Sequence, residues 1–207
     1  MYIIHNKKPL ELQRSLPVPL YHDEQLSEGW YRAPGRSIHT IVLHWGGVSR
    51  RSIYRTLQRR GLSTHFAVDT DGVWQWVDTA HVAQHCGLYN RVTIGVDICQ
   101  WPLVDALRHY PSPDWDVRVV PFRSSRTRHS EVLSLDSRLV SNTRALLLEL
   151  CDAFYIPLEA PQYNDIVLNE PIRGIVGHHH LTRNKWDILP WWGQIFDNWN
   201  LVKEIPI

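Results

Sequence analysis

The sequence predicts a single α/β domain, and three observations point there. Of the 207 residues, 43% are hydrophobic, which is enough for one core and sparse for two. Runs rich in β-branched residues alternate with stretches of helical periodicity, as where "SIHTIVLHWGG" gives way to "SRRSIYRTLQRRG". A strong hairpin signal, Asp71-Gly72, joins two further strand-like runs.

Taken in order, the first residues carry Pro17, Pro19, Pro34 and Gly35 and read as an extended arm. Residues 1–36 are therefore expected to be an N-terminal extension and 37–207 the domain proper. "SIHTIVLHWGG" reads as a buried strand ending at His44 before a glycine pair. A short amphipathic helix follows, with Ser49 as N-cap, Ile53 and Leu57 one turn apart, and Gly61 as its stop. The hairpin spans "STHFAVDTDGVWQWVDTA", and "VTIGVDICQ" is another core strand. Residues 101–137 lose periodicity and read as a long surface excursion with one strand at "DVRVVPF". Leu139, Thr143, Leu146, Leu147, Leu150 and Phe154 then mark one face of the longest helix. "GIVGHHH" is strand-like, and "PWWGQIFDNWNLV" a short tryptophan-rich helix.

A formal charge of +1 supplies no global field for nucleic acid, so the arginine clusters read as solvated faces and no nucleic-acid partner is expected. Cys86, Cys99 and Cys151 form no closely spaced pair, and their odd number argues against a disulfide framework and for a reducing compartment. No window approaches a membrane span, and "MYIIHNKKPLELQRS" shows no small-residue cleavage site. Synthesis in the cytoplasm without a signal peptide is expected.

The segment "GHHHLTRNKWD" carries the chemical question. His44 at one strand end, His178 at another, and Asp187 in the loop beyond would make a two-histidine, one-carboxylate metal set with a position left for water. On pattern alone, hydrogen-bonded surface or core histidines are the stronger reading. In an extended strand His179 faces away from the side shared by His178 and His180. His180 therefore rivals His178, and His179 is expected to matter least.

"IVLHWGG", "STHFAVDTDGVWQWV", "QHCGLYNRVTIGVDI" and "GIVGHHHLTRNKWD" resemble, in order and separation, the zinc-dependent N-acetylmuramoyl-L-alanine amidases, whose fold the peptidoglycan-recognition proteins share. The likeness runs from Ser37 to Phe196, with 101–137 as an atypical insertion. It implies a central mixed β-sheet flanked by helices, with His44, His178 and Asp187 holding zinc. It also implies that Lys185 is the catalytic lysine beside the developing oxyanion. The bond implied is the amide between the lactyl group of N-acetylmuramic acid and the L-alanine of the stem peptide. Zinc would activate water for that attack near neutral pH. The substrate would be peptidoglycan or a muropeptide, and a cell-wall role would require release from the cytoplasm.

The chain departs from the family at both usual assisting positions, where it has Cys99 and Thr64 in place of a glutamate and a tyrosine. Asp97 shares a strand face with Cys99 and is the candidate acid or base, although a structural acceptor role suits it better. His65, His85 and Asn90 match positions near the cleft and are the candidate substrate contacts, with His65 read more readily as a packed residue. The loop from His178 to Asp187 lacks the proline and glycine common there, and "DILP" replaces "DPG". Trp74, Trp76, Trp191 and Trp192 suit the core better than sugar stacking. Two rival functions are a muropeptide-binding module that does not cut, and a zinc amide hydrolase with another substrate. Oligomeric state is not written in the sequence.

Overall fold

The computed structural model of the protein describes residues 1–109, 114–162, 165–170 and 172–199, and the backbone of 203–205. The chain opens with a hairpin of β1 (Tyr2–His5) and β2 (Lys8–Glu11), followed by β3 (Leu20–Tyr21) and β4 (Trp30–Arg32). The expected extended arm is thus woven into the body. Ile3, Leu12 and Leu16 are buried in the main core, and β3 becomes an edge strand of the central sheet.

β5 (Thr40–Trp45) runs one residue past His44. α1 (Arg50–Arg60) is the expected short helix, since Ser49 accepts from the Ser52 N–H and Gly61 closes it in the left-handed region at φ 60°. β6 (Phe66–Val68) and β7 (Val73–Gln75) form the hairpin around Asp69–Gly72, where the Asp69 N–H donates to the Gly72 carbonyl. A Cβ on Gly72 would stand 2.7 Å from the Tyr21 ring and 2.8 Å from that of Trp74, so close packing selects glycine there. β8 (His81–Ala83) pairs with β4, and β9 (Thr93–Ile98) is the second core strand.

The excursion over 101–137 holds more order than the sequence suggested, although residues 110–113 lie outside the described ones. β10 (Val119–Pro121) is the expected strand, and it pairs with an unforeseen β11 (Glu131–Leu133). Alternation in "EVLSL" was too short to stand out. α2 (Ser137–Phe154) is the longest helix, capped by Asp136, and it buries Leu139, Thr143, Leu146, Leu147 and Leu150 as its periodicity required. β12 (Glu159–Pro161) precedes β13 (Gly174–Gly177). The expected strand through "GHHH" stops at Gly177, and α3 (His178–Leu181) is a single helical turn. α4 (Trp192–Phe196) is the short tryptophan-bearing helix; residues 200–202 of that expected segment lie outside the described ones. β14 (Lys203–Ile205) pairs with β12.

The central mixed sheet has the order β13-β5-β9-β6-β7-β3, with only the β6–β7 pair antiparallel. Its period of two divides the two faces. Ile41, Leu43, Ile94, Val96 and Ile175 point into the core under α2 and α4, each contributing roughly 1.5–3 kcal/mol by burial. Val42 and Val176 face the other way, as do Ala67, Trp74 and Cys99, which pack with Ile53 of α1. All four tryptophans considered for sugar stacking are core residues, and all three cysteines are buried thiols. Among the described residues, no helix is long and apolar enough to cross a membrane.

Because Ile3 is wholly buried, Ile3→Ala should lower unfolding free energy by about 2–5 kcal/mol. Lys8→Ala, on the exposed strand of the same hairpin, should stay within about 0.5 kcal/mol in urea titrations. Equal, small effects would show that the arm merely rests on the surface.

Candidate active site

Parallel strands that end side by side bring the polar residues together. Gly177 pairs with Leu43 and Asp97 with His44, so the C-terminal ends of β13, β5 and β9 present His178, His44 and Asp97 at one sheet edge. Asp187 returns from the loop after α3. One oxygen of its carboxylate lies 3.2 Å from His178 Nδ1 and 3.5 Å from His44 Nδ1. One ligand atom from each of His44, His178 and Asp187 falls within 4.8 Å of the others. The other carboxylate oxygen, Oδ1, is buried without a hydrogen-bond partner.

Neighbouring bonds determine which nitrogen of His44 faces this cluster. The Tyr89 carbonyl can only accept, so the Thr93 hydroxyl donates to it at 3.0 Å. That hydroxyl in turn accepts from His85 Nε2 at 3.1 Å, leaving His85 Nδ1 unprotonated to accept from His44 Nε2 at 2.9 Å. His44 Nδ1 then carries a lone pair aimed at the Asp187 carboxylate. Two lone pairs facing each other in a buried site repel, and a cation between them resolves the conflict.

Burial pushes His44 down to about 4, against the Asp187 carboxylate, which favours the protonated ring. Burial also pushes His85 well below its ordinary value, so both rings are neutral at neutral pH, the form a metal requires. Burial alone would raise Asp187, but the adjoining imidazoles, His178 first, outweigh that and hold it well below the usual carboxylate range. Asp97, buried and close to the Asp187 charge, is pushed up to about 7.

The three successive histidines divide their work because they sit on a helical turn. His178 enters the cluster. His179 is fully buried and its Nδ1–H donates to the Asp187 carbonyl at 2.8 Å, so the residue expected to matter least holds the loop. His180, the rival for His178, is buried with its Nδ1 accepting the Gly177 N–H at 3.0 Å. A Cβ on Gly177 would lie 2.4 Å from the His179 ring.

A family profile described as N-acetylmuramoyl-L-alanine amidase matches residues 34–190. The chain belongs to that amidase family. A search of curated proteins found no match. Among solved structures, the chain is similar to the endolysin N-acetylmuramoyl-L-alanine amidase LysCS of Clostridium intestinale, with TM-score 0.55 and 12% identity over 91% of this chain and 99% of that one. A mutant endolysin from Bacillus subtilis gives TM-score 0.51 and 17% identity over 86% and 96%. These likenesses show the shared fold.

In this amidase His44, His85, Asp97, His178, Lys185 and Asp187 line one cleft of about 170 Å³. Lys185 is exposed on the loop at its mouth. Two expected substrate contacts stand elsewhere. His65 is fully buried, its Nδ1 accepting the Gly95 N–H and its Nε2–H donating to the His81 carbonyl, so it ties β9 to β8. Asn90 Oδ1 accepts the N–H groups of His85 and Cys86 and braces the turn that presents His85. Thr64 and Cys99 are wholly buried and offer nothing to the cleft. Among the described residues Asp97 has no side-chain hydrogen bond, so the acceptor role expected of it has no donor. The signal missed in the sequence was Thr93, whose place in the His85 relay depends on three-dimensional contact.

Seven histidines, His5, His22, His39, His44, His65, His81 and His85, have lowered proton affinity, with burial the largest cause. They bind protons more readily unfolded than folded, so stability falls as pH drops from about 6.5 toward 4. Asp69 and Asp97, raised by burial, oppose this, since their contribution is lost as pH rises toward about 7. Histidines outnumber them, so calorimetry of the metal-free protein should give a lower Tm at pH 5 than at pH 7.5. A flat or inverted profile would contradict this assignment.

Proposed function

We propose that this amidase is a zinc enzyme that hydrolyses the amide between N-acetylmuramic acid and the first L-alanine of peptidoglycan stem peptides. The observation that carries the reading is the convergence of His44, His178 and Asp187 in the cleft that Lys185 also lines. Two nitrogens and an oxygen, with a fourth position open, suit zinc. The inward lone pair of His44 and the unpartnered Asp187 Oδ1 suit a bound cation. In this reading 37–207 is the amidase domain, 1–36 an extension built onto it, and 101–137 an insertion.

Zinc, when bound, would lower the pKa of water toward ~7 and polarise the amide carbonyl. The chain's own residues supply the rest. Lys185 reaches the cleft from the loop and opposes charge gathering on the carbonyl oxygen. Asp97, undonated and lining the same cleft, is placed to hold a proton and hand it to the departing amine. His85 keeps His44 in the tautomer that leaves Nδ1 free.

His44→Ala and Asp187→Ala should each lose zinc on elemental analysis together with release of stem peptide from purified peptidoglycan. Lys185→Ala should keep its zinc and fold while kcat drops by about a hundredfold or more. Binding of muropeptides by the zinc-loaded wild type without cleavage would make the protein a recognition module instead.

A further inference from the structure

We infer that Arg126, on the atypical insertion, is a positioning residue that clamps the loop carrying Lys185 and Asp187. The inference rests on the functional reading above for what that loop does. Its physical basis is separate. The Arg126 side chain is only 7% exposed although it stands on the insertion, outside the hydrophobic core. Its Nε lies 2.6 Å from Asp165, its Nη2 donates to the Ile166 carbonyl at 2.9 Å, and its Nη1 donates to the carbonyls of His179 and Lys185. One planar fork therefore joins the insertion, the segment at 165–166, the helical turn bearing His178, and the loop. Lysine has a single point charge and cannot reproduce that fan of bonds.

The carbonyls Arg126 selects matter. Lys185 is held directly. His179, held at its carbonyl, in turn donates from its ring to the Asp187 carbonyl. The insertion takes a second grip through Trp186, between those two residues, whose ring lies 6.3 Å from Phe122 and 5.6 Å from His129, with Trp45 at 5.5 Å.

The loop itself has little to stiffen it. "TRNKW" contains neither proline nor glycine, and one backbone bond, Lys185 N–H to Thr182 carbonyl, spans it. Ile188, just after Asp187, sits at φ 66°, a left-handed conformation that a β-branched residue keeps only under outside constraint. Ile188, wholly buried in the main core, is constrained there, and the insertion constrains the stretch before it through Lys185 and Trp186. Two departures of this chain from its family, the added segment and the altered loop, are thus one device.

The test compares Arg126→Ala and Arg126→Lys with wild type, using Arg118→Ala, exposed on the same insertion, as control. Hydrogen exchange in the metal-free proteins should accelerate in both Arg126 variants at residues 182–188 while the core strands stay protected. Zinc affinity should weaken by about tenfold or more and kcat should fall by about ten- to a hundredfold, with KM little changed. Arg118→Ala should match wild type in all three. Unchanged loop exchange in a folded Arg126→Lys overturns the clamp, as does a loss confined to KM. If Arg126→Ala does not fold, Arg126→Lys alone decides. A wild type that binds no zinc and cuts nothing removes the functional reading, and loop exchange still decides the clamp.

Discussion

Parallel pairing of β13, β5 and β9 sets both the core and the site, because each strand divides its residues between the two. Ile41, Leu43, Ile94, Val96 and Ile175 take one face, and the alternate positions bring His44 and Asp97 to the other. A slip of one residue in β5 would bury His44 under α2 and turn Leu43 into the cleft. The aliphatic face thus protects the register of the polar one. Its burial, worth roughly 1.5–3 kcal/mol per side chain, offsets the cost of holding imidazoles and carboxylates out of water.

That cost is met unevenly. Asp187 is stabilised as an anion by His178, yet one of its oxygens has no partner, and the relay from Tyr89 through Thr93 and His85 leaves His44 with a lone pair facing it. Buried polar networks that stop one bond short are costly in proteins that have no ligand to complete them. Here the His44 lone pair and the unpartnered Asp187 oxygen lie in one cluster, an arrangement that suits a cation. Asp97 stands just outside that cluster. Its charge is disfavoured by burial and by the nearby Asp187.

Periodic elements were legible in the sequence because their signals are local. Ser49 and Gly61 bracket α1, and the Leu139 to Leu150 spacing gives the buried face of α2. His44, His178 and Asp187 were legible through the resemblance, and the structure places them together. What failed was local extrapolation across a boundary: alternation in "GIVG" continues only to Gly177, where the chain turns helical and gives His179 and His180 structural bonds. His65 and Asn90 look alike as cleft candidates in one dimension. They part only when His65 is seen spanning two strands and Asn90 capping a turn. The first residues, rich in proline, gave no period to follow, and their place in the core depends on Ile3, Leu12 and Leu16 meeting distant strands.

Absences in the family pattern acquire a reason from packing. Cys99 lies in the cluster with Ile53, Ala67 and Trp76, where a longer charged side chain would be buried without a partner, and Thr64 is wedged beneath Gly95 and His85. Neither position lines the cleft, and the strand residue that does is Asp97, to which the proposed mechanism gives the proton transfer. The loop shows the same logic on a larger scale. Without proline or glycine to restrict it, "TRNKW" gains its shape from the insertion that covers it, through Arg126 on the Lys185 carbonyl and Phe122 and His129 on Trp186. Loop and insertion therefore have to be read together: without the insertion Asp187 would still be held by His178 and His179, but Lys185 would keep only its backbone bond to Thr182.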